Sequence, residues 1–418
     1  MPVTYERLFR LMENQKMTTT NLMRRANISR NIISRLRHDE YISLETLENI
    51  CRLFNCQAND VLEFHFLGDN VVQSKEKYLQ QVVEIQNRRY LGNKFKLLDF
   101  VKKIVVENCS DIETMADIFS GTGAVASAFT ERIIITNDLL YSNYLCNLAW
   151  FGSENVRLNF LSSLIEEYNQ IKKFEENYMT ENFSDTYFSK VDCSKIGFIR
   201  EDVEQKFITG IITERERAIL IASLIYAMDK IANTCGHYDA WRRGVIFERH
   251  LILPILNVPE KNNDKNRCFN EDANVLVRHI KADLIYIDPP YNSRQYSDTY
   301  HLLENVARWE KPPVYGVALK SDRKNLKSEY CTTKATSAFE DLIQNCKAKY
   351  ILLSYNNMAQ KGNERSNARI ADEDILRILN SKGNVQVFSK EYRAFTTGKS
   401  NIRGNEERLF ICKFCDVK

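Results

Sequence analysis

Asp288-Pro-Pro-Tyr291, followed by Asn292, is the segment of this sequence with the most chemistry in it. Two consecutive prolines fix the backbone and remove two N–H donors. Their carbonyls can then face a substrate amine. The Asp288 carboxylate adds a further acceptor, and the Tyr291 ring can stack on a flat base. The exocyclic amine of such a base is a poor nucleophile, because its lone pair is delocalised into the ring. If Asp288 accepts one amine hydrogen and the Pro289 carbonyl the other, the nitrogen is drawn toward tetrahedral geometry and its lone pair is localised. The alternative is a rigid turn with a surface tyrosine.

A second segment, Phe119-Ser-Gly-Thr-Gly123, has the glycines that let backbone amides approach a ligand closely. Asp138 stands at the end of the next apolar run, where a carboxylate can take both hydroxyls of a ribose. A structural loop with an incidental carboxylate stays open on these residues alone.

Both segments need strands to carry them. Met115–Phe119, Arg132–Thr136, Ala282–Ile287, Tyr350–Ser354, Val385–Ser389 and Arg408–Lys413 read as buried strands, several with polar residues at their carboxyl ends. Alternation with helical stretches predicts an open α/β sheet with its site along that edge.

The first 66 residues read differently, as short helices. Leu8, Leu11 and Met12 share one face; Leu22 and Met23 follow; Ile32, Ile33 and Leu36 mark a third helix. Leu44, Leu47, Ile50 and Leu53 give a fourth stripe, with Ser43 as its N-cap. The tight connection Ala26-Asn-Ile-Ser29 between two short helices predicts a helix-turn-helix, an all-α domain. Five arginines and no acid fall between Asn21 and His38. On a recognition helix at about 30–36, Arg30, Asn31, Ser34 and Arg35 are placed to reach phosphates or base edges. A solvated helix face, or a dimerisation module, is the alternative.

Composition bounds the rest. The chain has 418 residues, 58 Lys plus Arg against 55 Asp plus Glu, so any basic face must be local rather than global. The longest apolar run, Ala218–Met228, is too short to span a bilayer, and Met1–Arg10 is charged and without a signal-like stretch; a cytoplasmic protein with no membrane partner is expected. Eleven scattered cysteines suit reduced thiols. The lone Cys412-Lys-Phe-Cys415 has no second ligand pair at suitable spacing, so no metal is expected.

Taken together, the glycine turn and the Asp-Pro-Pro-Tyr segment make the chain resemble amino-directed DNA methyltransferases that use S-adenosylmethionine. Aspartate in the first position resembles the adenine-N6 class. The order of the motifs, with a long insert between them, is similar to the alpha group, to which the Dam-type enzymes belong. Arg89-Tyr-Leu-Gly-Asn-Lys94 and Asn270-Glu-Asp-Ala273 match the segments that precede each motif in that group. Asp288–Tyr296, Tyr300-His-Leu-Leu-Glu304 and Ser354-Tyr-Asn-Asn357 resemble a FokI-type subgroup of restriction-modification methylases. The first 66 residues resemble Cro/phage-repressor-type regulators.

The resemblance implies a Rossmann-like methyltransferase sheet and a role for each matching residue. Tyr90 and Lys94 would hold the methionine end of S-adenosylmethionine, Lys94 through its carboxylate. Asp117 would take the amino group and Phe119 would pack on the cofactor. Gly121 and Gly123 would allow close approach, Asp138 would bind the ribose, and Asp272 the adenine amine. Asp288, Pro289, Pro290 and Tyr291 would be catalytic on an adenine flipped out of double-stranded DNA, an extrusion that costs a few kcal/mol and that stacking on Tyr291 offsets by about 1–3 kcal/mol.

The expected organisation is a helix-turn-helix domain over 1–66, a linker over 67–86, a cofactor-binding part over 87–150, an inserted target-recognition region over 151–265 and a catalytic part over 266–418. The insert holds Tyr168, Phe174, Tyr178, Phe183, Tyr187 and Phe188, read as a small core before base readers, His237, read as structural, and a long helix over 214–233. The polar, basic stretch Lys311–Lys327 is a second candidate for DNA contact. The first domain is expected to control the chain's own promoter. The resemblance leaves room for a cognate restriction endonuclease that need not touch this chain. A repressor with an inactive methyltransferase fold, and a methyltransferase of RNA bases, are the competing functions.

Overall fold

The computed structural model describes residues 3–15, 17–54, 56–64, 85, 88, 90–234, 236–356, 369–391 and 406–415. Arg89, Asn357 and nearly all of the expected linker lie outside these residues. The chain divides into two compact units, Met1–Tyr78 and Leu79–Lys418.

The first unit is built from helices Glu6–Asn14, Thr19–Arg25, Arg30–Arg37, Leu44–Phe54 and Ala58–Val61. Thr18 and Ser29 cap the second and third, their side chains accepting from the main-chain N–H of Asn21 and Ile32. Asn27, in the turn between them, takes φ 53°, a conformation that asparagine tolerates better than most residues. Leu8, Leu22, Ile33, Leu36 and Ile50 meet in one core. Two features differ from the expectation. Leu44 is 83% exposed, because it opens its helix and the buried stripe runs through Thr46, Ile50 and Phe54 instead. The unit is also not purely helical: β1 (Val3–Thr4) pairs antiparallel with β2 (Glu63–Phe64) and ties its ends together.

The second unit holds a seven-stranded sheet in the order β5-β4-β3-β6-β7-β9-β8. The strands are β3 (Thr114–Asp117), β4 (Ile133–Asn137), β5 (Arg267–Phe269), β6 (Leu284–Ile287), β7 (Tyr350–Asn356), β8 (Gly383–Glu391) and β9 (Glu406–Phe414). The first five are parallel; β9 runs antiparallel between β7 and β8. The order reverses between β3 and β6, the crevice position where open α/β sheets bind ligands.

Alternate residues feed two cores, as the pleat demands. Met115, Ile134, Leu284 and Tyr286 face one; Ala116, Ile135, Ile285 and Ile287 face the other. The helices of the 151–265 stretch, Leu158–Gln170, Tyr178–Phe183, Lys190–Ile208 and Glu214–Ile231, join the first core rather than standing apart. Tyr168, Phe183, Tyr187 and Phe188 are buried in it, Tyr178 packs against it, and Phe174 is exposed. Glu214–Ile231 is buried from Arg215 to Met228. Burying Arg215 is tolerable because its guanidinium donates to the carbonyls of Ala149, Glu154, Pro259 and Glu260. Among the described residues no helix is long and apolar enough to cross a membrane.

Candidate active site at the carboxyl edge of the sheet

Strands β3, β4 and β6 end side by side, and the segments that leave them surround a cleft of about 980 Å3, its open mouth included. Asp288, Pro289, Pro290, Tyr291, Tyr90, Lys94, Asp117, Phe119, Gly121, Asp138 and Asp272 all line it. Gly123 does not. It has φ 80°, and a Cβ there would sit 2.7 Å from Asn147 Oδ1 and 2.9 Å from the Phe151 ring. Its glycine lets the turn lie against the helix Tyr141–Phe151. Gly121, at φ 50°, faces the Tyr90 ring, which a Cβ would approach to 3.1 Å.

The glycine turn and Asp138 hold each other. The Asp138 carboxylate accepts from the main-chain N–H of Gly121 and of Leu140, each at 2.8 Å. Burial raises it to about 6 against the pull of those N–H groups. Asp117 is buried, and its Oδ1 has no hydrogen-bond partner among the described residues. Burial, then the charges of Asp288 and Asp138, push its carboxyl well above the ordinary range. An unpaired acceptor on a cleft wall fits a ligand ammonium, which would restore the carboxylate.

Tyr90 stacks on Tyr300 at 4.6 Å between ring centroids, and its hydroxyl accepts from Asn143 at 2.9 Å. The Tyr300 hydroxyl in turn accepts from the Leu91 N–H at 2.7 Å. Glu304, one turn on, accepts from the N–H groups of Tyr141 and Ser142, anchoring the helix that follows β4 and Asp138. Phe119 meets Tyr330 edge to face at 5.2 Å.

Lys94 lines the cleft and also bridges two acids. Its ammonium lies 3.0 Å from Asp288 Oδ1 and 2.9 Å from Glu407 Oε1, so both short contacts are to protein carboxylates. Burial alone would lower this lysine; Asp288 and Glu407 outweigh it and hold it well above its usual range. Asp288 is raised to about 6, by burial first, with Lys94 lowering it and Glu407 raising it. Glu407 was not found from the sequence. It is one of two acids that open a strand remote from every motif, placed here because β9 runs backward and sets Glu407 opposite Asn356. Asp272 caps the short helix Ala273–Leu276, accepting from the N–H groups of Asn274 and Val275.

Of the residues assigned to DNA, Arg30, Asn31 and Ser34 are exposed on the side of helix Arg30–Arg37 away from Ile33 and Leu36. Arg35 is half-buried and pairs with Glu40 at 3.5 Å, an acid just beyond the stretch that reads as acid-free. In the 311–327 stretch, Lys311, Lys320 and Arg323 are committed to Glu201, Asp239 and Asp298. His237 is half-buried beside Asp239, and burial lowers its pKa.

Strand order, glycine turn and Asp-Pro-Pro-Tyr edge define a methyltransferase-type α/β fold. Residues 90–366 match the family described as D12 class N6 adenine-specific DNA methyltransferase, and the chain belongs to that family. Residues 7–66 match the Cro/C1-type HTH DNA-binding domain. Similar proteins include modification methylase StsI of Streptococcus sanguinis, 37% identical over 346 residues that cover 76% of this chain and 50% of that protein. Modification methylase LlaI of Lactococcus lactis subsp. lactis is 30% identical over 77% of this chain and 53% of its own length. Type II methyltransferase M.FokI of Planomicrobium okeanokoites is 33% identical over 73% of this chain and 49% of its own. The chain thus spans about half the length of these relatives. Methyltransferases of this kind imply S-adenosylmethionine as methyl donor.

Proposed function

We propose that the chain is an S-adenosylmethionine-dependent DNA adenine-N6 methyltransferase of a restriction-modification system. The observation that carries this reading is the single cleft shared by Asp288, Pro289 and Tyr291 on one wall and by Gly121, Asp117 and Asp138 on another. The unpaired Asp117 Oδ1 suits the cofactor's ammonium, Asp138 its ribose, and Phe119 and Tyr90 its apolar flanks. The bound cofactor supplies an electrophilic methyl carbon on sulfur. Asp288 and the Pro289 carbonyl accept the two hydrogens of the adenine amine, and Tyr291 stacks on the extruded ring. Asp288, which accepts one amine hydrogen, is placed to take the proton the nitrogen gives up as it receives the methyl group. Orientation of reactants supports the largest share of the acceleration, about 7–11 kcal/mol in favourable cases.

The two parts that flank the insert, 87–150 for the cofactor and 266–418 for catalysis, are assigned to transfer, and 151–265 to target recognition from its surface, since its aromatics are mostly internal. The 1–66 domain is assigned to an operator in the chain's own promoter, through Arg30, Asn31, Ser34 and Arg35. Methyl incorporation from labelled cofactor into DNA, by the native chain and not by Asp288→Ala, tests the assignment. No incorporation on any DNA would favour a repressor, and equal transfer to RNA would overturn the choice of substrate.

A further inference from the structure

We propose that Glu407 is a positioning residue for methyl transfer: acting through Lys94, it holds Asp288 in place as a hydrogen-bond acceptor. This rests on the methyltransferase reading of the Asp288 cleft.

Glu407 lies outside the lining of the cleft and is buried, with 7% of its side chain exposed. Its Oε1 is shared by two donors, Lys94 Nζ at 2.9 Å and the Ser354 hydroxyl at 2.7 Å. Lys94 passes the constraint on, 3.0 Å from Asp288 Oδ1. The result is a continuous line from β7 and β9 through the loop at Lys94 to the end of β6. Every link is within ordinary hydrogen-bond distance.

The charge count gives this line its purpose. A buried Lys94–Asp288 pair alone would be neutral, and the ammonium would draw density from the oxygen that must accept an amine hydrogen. A second carboxylate shares the ammonium and leaves the cluster net negative. Asp288 then stays fixed by a cation without being satisfied by it. Other groups face Asp288 as well. Asp117 lies across the cleft at the end of β3, Tyr286 precedes it on β6, and Tyr296 approaches from the helix Tyr296–Thr299. Of these Asp117 is the only carboxyl, pushed well above the ordinary range by burial, and it is common to every variant below.

The test uses the full chain with Glu407→Gln, which keeps the shape and an acceptor oxygen but removes the charge. Expected are a kcat lowered about tenfold or more, an S-adenosylmethionine dissociation constant within about twofold of the native value, and an acid limb of kcat displaced to lower pH. The direction follows from charge: without Glu407, Lys94 draws Asp288 down. Glu407→Asp keeps the charge and should keep the acid limb where it was while lowering kcat less. It is also the arm that remains if Glu407→Gln folds poorly.

A kcat loss with an unmoved acid limb in Glu407→Gln, or the same displacement in both variants, would overturn the proposal. So would weakened cofactor binding equal to the loss in kcat. Carbon-13 NMR of the Asp288 carboxyl separates this inference from the reading beneath it. If the native chain methylates nothing, the function falls, yet the Asp288 midpoint must still drop in Glu407→Gln. An unchanged midpoint sinks the inference whatever the activity.

Discussion

Asp138 and Asp288 end neighbouring regions of one sheet edge, both raised to about 6 and both desolvated, yet they are held by different means. Asp138 is gripped by main-chain N–H groups of Gly121 and Leu140, one of them two residues away. Asp288 is gripped by Lys94 and, behind it, Glu407, partners far apart in sequence. A backbone grip tolerates changes in side chains around it. A side-chain grip is a charge balance that one substitution can upset.

The largest effect should come from upsetting that balance. Lys94→Met leaves two buried carboxylates facing each other, and breaking a buried pair costs about 3–5 kcal/mol. Its thermal midpoint and its kcat should both fall steeply, and a Glu407→Gln change added to it should recover part of the stability. Full stability in Lys94→Met alone would mean the contacts to Asp288 and Glu407 carry no weight.

Gly123→Ala attacks the other grip. With φ 80° and contacts of 2.7 and 2.9 Å awaiting the new Cβ, it should destabilise by about 1–3 kcal/mol. Gly121→Ala should cost less, because the Tyr90 ring at 3.1 Å can shift. Denaturant unfolding of the two variants measures the difference; equal losses would show that the Asn147 and Phe151 contacts do not matter.

The pH response sharpens the comparison further. Both carboxylates act ionised, so function is present above their pKa and is lost as pH falls through about 6. Asp138→Asn should remove that dependence from cofactor affinity and leave it in kcat, with affinity lowered about tenfold. Isothermal titration and single-turnover transfer across pH 5–8 read the two separately.

The smallest effect on chemistry should come from Arg30→Ala with Arg35→Ala. Methylation of an unrelated DNA should stay within about twofold, while binding to the operator weakens by about 1–3 kcal/mol. Equal loss of both activities would make the first unit part of the catalytic DNA clamp.

What could be read from sequence followed the same division. Strands β3, β4, β6, β7, β8 and β9 were all visible as apolar runs, and the glycine turn, Asp138 and Asp288 stood at their ends. Strand β5 was not, since Arg267–Phe269 has three residues and one charge, too little for a pattern. The pairing of β1 with β2 joins residues about sixty apart and leaves no local mark. Tyr300 and Glu304 were seen as part of a motif, but their tasks, stacking on Tyr90 and anchoring the helix after Asp138, depend on contacts across more than 150 residues. Glu407 left no signal because its partner is decided by strand direction alone. The aromatics of the 151–265 stretch were read as core before base readers, and Tyr168, Phe183, Tyr187 and Phe188 are buried accordingly.

The reversed course of β9 has one more consequence, for the order in which a copy of this protein becomes competent during synthesis. Every residue that lines the cleft has been translated by Tyr330, yet the acid paired with Lys94 emerges more than seventy residues later. A nascent chain can therefore assemble the cleft well before the charge balance around Asp288 is complete, and under the proposed function transfer would await the arrival of the last strand of the sheet.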